Sequence, residues 1–257
     1  MRIAFAGLVT FLSILPAAPA ALADAPCKAA TSPAAAAAQA RRVVDELRQE
    51  LAAVEDEIRD VPFLDALEAG EAPVELLRAL AGEQYSILRS DLRSMAVLVA
   101  RVPPEHSAFF QGLLEGERIA IGLLLDYAAA LGWDEDDLAA YEPRPAGQTY
   151  PSYVAAMAAY GTQADAAAAF LVNFPVFGEN TGRVRDALQA RYGLDAQATA
   201  FFDFFAQPIP GFEEAALAVI AAGFERGDCE RQVRRTARLL QSYELDFWQA
   251  VGEPTAE

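Results

Sequence analysis

Apolar residues recur along this chain at alternating steps of three and four, and nowhere is the strict alternation of a half-buried strand sustained. The pattern predicts an all-α protein whose helices are punctuated by Pro and Gly. Ser32-Pro33 opens the first, an N-cap residue followed by Pro at the first position. Its core stripe is Val44, Leu47, Leu51, Val54 and Ile58, and Val61-Pro62 closes it because the residue before Pro avoids the α region. A short helix around Phe63–Ala69 stops at Gly70, and a long one runs from near Pro73 to about Arg101, ended by Pro103-Pro104. The next spans about Glu105 to Leu131, then come a short helix at Asp134–Tyr141 and a Pro/Gly loop at Glu142–Tyr150. Pro151 opens a helix to about Tyr160, and the one after it runs from about Gln163 to Tyr192 with a kink expected at Pro175. Asp195 is read as the cap of a further helix, followed by Pro208 and Pro210. A helix from about Phe212 to Phe224 leads to Asp228, read as the cap of the last one. With no repeat and no long linker, the chain is expected to form a single helical domain over residues 32–252.

Polar residues fall inside several apolar stripes. From Pro73 onward the stripe is Leu77, Leu80, Ile87, Met95 and Leu98, and Gln84 and Asp91 sit in it one heptad apart. Glu117 falls among Phe110, Leu113, Ala120 and Leu124. Near Pro175, Val172 and Val176 share a face with Glu179, and in the last helix Glu244 lies among Val233, Ala237, Leu240, Phe247 and Val251. Four long helices are therefore expected to turn one carboxylate inward each: Asp91, Glu117, Glu179 and Glu244. A buried carboxylate is costly unless something pairs with it. The set thus marks either a structural network, with Arg93, Arg118 and Arg183 available, or a ligand site. An aromatic set (Tyr85, Phe174, Phe177, Phe201, Phe202, Phe205, Tyr243 and Phe247) is suited to stack a ring or simply to fill the core.

Composition narrows the chemistry. A net charge of −17 argues against nucleic acid as a partner and against an anionic membrane surface. Di-iron bundles present inward carboxylates but also need Glu-x-x-His pairs, and His106, at a helix start, is the sole histidine. No metal and no cofactor are expected, although an oxidase relying on carboxylates alone stays open as a third reading. Residues 1–23 carry Arg2, a short apolar run and Ala21-Leu22-Ala23. They read as a secretion signal, or as the product of a start placed too far upstream. With the signal the protein would be secreted or periplasmic, free of the membrane once processed; without it, cytoplasmic. Cys27 and Cys229 are able to pair if the chain is exported.

Four segments carry a resemblance. Pro62-Phe63-Leu64-Asp65-Ala66-Leu67-Glu68-Ala69-Gly70, Glu83-Gln84-Tyr85-Ser86-Ile87-Leu88, Phe174-Pro175 and Tyr243-Glu244-Leu245-Asp246-Phe247-Trp248 stand in the order of the motifs of the TenA/PqqC family. The resemblance implies a haem-oxygenase-like helical bundle, and a homo-oligomer, since members often form dimers or tetramers. Members that salvage thiamin hydrolyse an aminopyrimidine with a cysteine nucleophile, a glutamate acid/base and an aspartate that holds the pyrimidine. The glutamate is matched by Glu244, but the aspartate position holds Gln84, the cysteine position Val176 and the tyrosine one turn later Asn180. A valine neither attacks nor donates a proton, so Glu179 is the stand-in the sequence offers.

Three functions follow as expectations. The first is a protein that binds, or binds and hydrolyses, a small heteroaromatic such as a thiamin-derived aminopyrimidine in an internal acidic and aromatic pocket. There Glu244 and Glu179 would be catalytic, and Gln84, Asp91, Glu117, Val176, Asn180, Tyr85, Phe177, Tyr243 and Phe247 would bind the ligand. The second is a non-catalytic carrier or sensor of the same fold; the third is the carboxylate oxidase.

Overall fold

The computed structural model describes residues 27–253, so the segment read as a secretion signal lies outside the described residues. Among the described residues ten α-helices follow one another: α1 (Pro33–Arg59), α2 (Pro62–Ala69), α3 (Val74–Arg101), α4 (Pro104–Ala130), α5 (Glu135–Ala140), α6 (Thr149–Tyr160), α7 (Gln163–Arg191), α8 (Ala200–Ala206), α9 (Phe212–Arg226) and α10 (Glu230–Val251). A single 3-10 turn, Ala146–Gln148, precedes α6. Among the described residues there is no strand.

Local chemistry sets the boundaries. The Ser32 hydroxyl accepts from the Ala35 N–H at 3.2 Å, and Gly70 takes the left-handed conformation (φ 77°) that ends α2. At the start of α7, Thr162 and Asp165 form a reciprocal capping box. Two expected caps are corrected. The residue that caps α10 is Cys229, one position after Asp228. The Asp195 carboxylate does accept from the Ala198 N–H at 2.9 Å, but it caps a turn, and regular helix begins only at Ala200.

One continuous apolar core runs through the bundle from Ala36 of α1 to Val251 of α10. The pairs α3–α4 and α7–α10 pack extensively, α7 also lies against α8 and α9, and α6 bridges α3 and α10. Pro175 sits inside α7, where its missing N–H frees the Leu171 carbonyl from helical bonding. Glu83 of α3 is fully buried and anchors the segment before α6. Its carboxylate accepts from the Tyr141 hydroxyl (2.9 Å), the Arg144 N–H (2.7 Å) and the Gln148 amide (2.8 Å). That tie fixes where α6 begins, and so where Tyr150 is delivered. Cys27 and Cys229 form a disulfide that joins the segment before α1 to the start of α10, with Cα atoms 5.3 Å apart. Among the described residues no helix is long and apolar enough to cross a membrane.

Candidate functional site

Where α3, α4, α6, α7, α8 and α10 meet, side chains leave a small chamber. Gln84, Ile87, Leu88 and Asp91 line it from α3, Glu117 from α4 and Tyr150 from α6. Asn173, Phe174 and Phe177 come from α7, Phe205 from α8, and Glu244 and Phe247 from α10. Helical periodicity explains the α3 group: residues 84, 87, 88 and 91 share one face. About 40 Å³ of the chamber is open to water-sized molecules, room for about three waters.

Three of the four expected carboxylates reach this space. Glu244 is 3% exposed and held at both oxygens: the Trp248 indole N–H donates to Oε1 at 2.7 Å and the Asn173 amide to Oε2 at 3.4 Å. Burial outweighs these two donors and pushes its carboxyl up to about 7. Burial also pushes Glu117 up to about 8; its residue is half-buried, while its carboxyl end lines the chamber. Asp91 is raised well above the usual carboxylate range, chiefly by burial and then by the charges of Glu117 and Glu244. Its Oδ1 is buried with no hydrogen-bond partner. Tyr150 is raised by burial first and by the same three carboxyls after it, and its hydroxyl donates to Asn173 Oδ1 at 3.3 Å.

Glu179 does not belong to the site. It is exposed, and Arg59 donates to it through Nε at 2.6 Å. At 100° per residue it stands about 200° around α7 from Phe177, on the opposite face. Val172 and Val176 on that face are buried, but α1 ends at Arg59, so the next turn emerges into solvent.

Val176 and Asn180 are also absent from the lining. Both are buried about 60–100° around α7 from Phe177, and the Asn180 amide donates to the Ile58 carbonyl at 2.9 Å. Tyr85 points away toward α5, its hydroxyl donating to Glu135 at 3.0 Å with the Arg89 guanidinium over its ring. Tyr243 packs on Tyr153 with ring centroids 5.2 Å apart. Gln84, Asp91, Glu117, Phe177 and Phe247 do line the chamber. The arginines offered for a structural network are engaged elsewhere: Arg93 with the Arg89 carbonyl, Arg118 with Glu115 and Arg183 with Glu68.

Sequence reasoning missed Asn173, Tyr150, Trp248 and Gln241. Asn173 had a signal, being the one amide in the apolar run from Ala166 to Phe174. Glu244 and Trp248 had another, their i, i+4 spacing. Tyr150 had none, because its place depends on the Glu83 anchor. Gln241 accepts from Asn173 at 3.2 Å and lies behind the pocket wall. Among the described residues no three His, Cys, Asp or Glu side chains are grouped to hold a metal ion. His106 stands at the start of α4, away from the lining. The chamber's donor set therefore does not fit the carboxylate oxidase.

Comparison with solved structures finds the same architecture. A TenA homologue from P. horikoshii OT3 superposes with a TM-score of 0.65 at 17% identity, covering 81% of this chain and 97% of that one. A TenA homolog from Pseudomonas syringae pv. tomato gives 0.67 at 12% identity, covering 88% and 98%. A domain of unknown function with a heme oxygenase-like fold, from Shewanella denitrificans, gives 0.63 at 19% identity, covering 80% and 89%. No curated protein sequence matches. The model of the TENA/THI-4/PQQC family matches residues 48–253, so this all-helical chain, with its chamber between α3 and α7, belongs to that family.

Proposed function

We propose that the chamber binds a small flat heteroaromatic of the aminopyrimidine class and that Glu244 is the acid/base acting on it. The observation that carries this reading is the Glu244 carboxyl itself, buried, held at both oxygens and facing the space. A group poised near 7 is present in both protonation states at neutral pH, as proton transfer in both directions requires. Phe174, Phe177, Phe205 and Phe247 supply ring faces for stacking. Small-molecule pockets are typically about 300 Å³ or more, so a ligand enters only as Phe174, Phe177 and Phe205, the half-buried rings of the wall, move outward.

Hydrolysis in this setting uses water as the nucleophile. Water forms the new C–O bond as the C–N bond to the exocyclic amine breaks. Glu244 takes the proton from the water and passes it to the departing amine, while Asp91 orients the water or the ring. Incubating the purified protein with aminopyrimidines and following amine release tests this. Turnover lost in Glu244→Gln supports it; no turnover with any of them removes the catalytic part.

A second reading, a carrier or sensor, is favoured by one observation: no Cys, Ser, Thr or Lys lines the chamber. Ligand-dependent thermal stabilisation without turnover would select it. We also read the protein as exported, because a disulfide persists in an oxidising compartment.

A further inference from the structure

The carboxyls of the chamber divide into two kinds. Glu244 has its donors within the protein, whereas Asp91 and Glu117 have no hydrogen bond or ion pair to any described residue. Asp91 is 4% exposed and its Oδ1 is fully enclosed beside the chamber it lines. Leaving such an oxygen without a donor is costly, and proteins seldom do so without a use for it. The titratable groups facing Asp91 are Glu117 from α4, Glu244 from α10 and Tyr150 from α6; α7 and α8 contribute only Asn173 and phenylalanines. No Lys, Arg or His lines the space, so nothing in the wall offsets a second or third negative charge.

Resting on the chamber being the ligand site, we propose that it selects a flat organic cation, an amidinium or a protonated amino-heteroaromatic, with Asp91 and Glu117 as the residues that read the charge. The cation's N–H groups donate to the oxygens the protein leaves without partners, and its ring lies against the phenylalanines, which also favour positive charge. In the empty chamber Asp91 and Glu117 hold their protons, because burial disfavours their charged forms. An entering cation returns them to carboxylates, so binding releases protons. Affinity then rises with pH, by about tenfold per unit for each proton released, and the share due to Glu117 ends above about 8, where that carboxyl ionises unaided.

The test uses three probes of one shape: benzamidine (a cation), benzamide (neutral) and benzoate (an anion), with binding followed by calorimetry at several pH values. Benzamidine should bind at least tenfold more tightly than benzamide, benzoate should not bind, and the preference should grow with pH. Asp91→Asn and Glu117→Gln should each erase most of the preference and its pH dependence, and neither should melt below the parent, because each replaces a carboxyl that burial disfavours in its charged form. Equal binding of benzamide and benzamidine, or a benzamidine affinity independent of pH, overturns the proposal. A neutral aminopyrimidine that binds while benzamidine does not overturns charge selection and leaves the proposed function standing. Failure of every probe and every aminopyrimidine removes the chamber as a ligand site, and both readings with it.

Discussion

At Glu244 one side chain both disfavours folding and serves the proposed chemistry. Its carboxyl titrates near 4.5 in the unfolded chain and about 7 in the folded one. Between these values the folded state keeps a proton that the unfolded state has lost, so stability falls as pH rises through that window and is level above it. The cost is on the order of 3 kcal/mol. Urea unfolding across pH should show Glu244→Gln gaining on the parent protein by about that amount between pH 4.5 and 8; parallel curves would contradict the burial argument. The Trp248 indole offsets part of the cost by donating to Oε1. Trp248→Phe keeps most of the ring but removes that donor, and should lose about 1.5–3 kcal/mol of stability, as for a bond to a charged acceptor. It should also move any activity profile that depends on Glu244 to higher pH.

Among the elements, α7 shows what a sequence carries and what it withholds. Its start, its length and Pro175 were legible, because Thr162, the apolar run and the proline act on their own neighbours. The inward positions of Gln84 and Asp91 were legible for the same reason, being heptad-spaced on a helix whose other face is easily told apart. Glu179 was misread because the Val172–Val176 face is covered only as far as α1 reaches, and where another helix ends is not written in α7. Tyr150 was invisible because a buried carboxylate on α3 positions it. The corrected place of Glu179 has a plain consequence: an ion pair with each partner a third or more exposed is worth about 1 kcal/mol or less. Glu179→Ala should therefore leave ligand affinity unchanged and stability within about that margin; a large loss of turnover would restore it to the site. Gly82 is more sensitive, since a Cβ there would lie 2.4 Å from the Tyr141 ring. Gly82→Ala should cost about 1–3 kcal/mol by overpacking, read from the denaturation midpoint.

Across the whole molecule, the surface charge and the disulfide decide behaviour more than any single contact. A net charge of −17 works against association with polyanions, and has the same sign as the charge selection proposed for the chamber. The disulfide spans a sequence separation of 202 residues, and the chain-entropy relation gives it about 5 kcal/mol, with measured bonds more often near 2–4. Replacing both Cys27 and Cys229 by Ser should lower the melting temperature by about 5–15 °C, checked by calorimetry.

Cys229 opens the helix that carries Glu244 fifteen residues later, about 22 Å along its axis. The covalent clasp and the acid thus sit at opposite ends of one rod, the acid's end being fastened by Phe247 and Trp248 in the core. Durability and recognition are therefore separable properties here: a reductant should make the protein easier to melt while leaving its grip on a ligand intact.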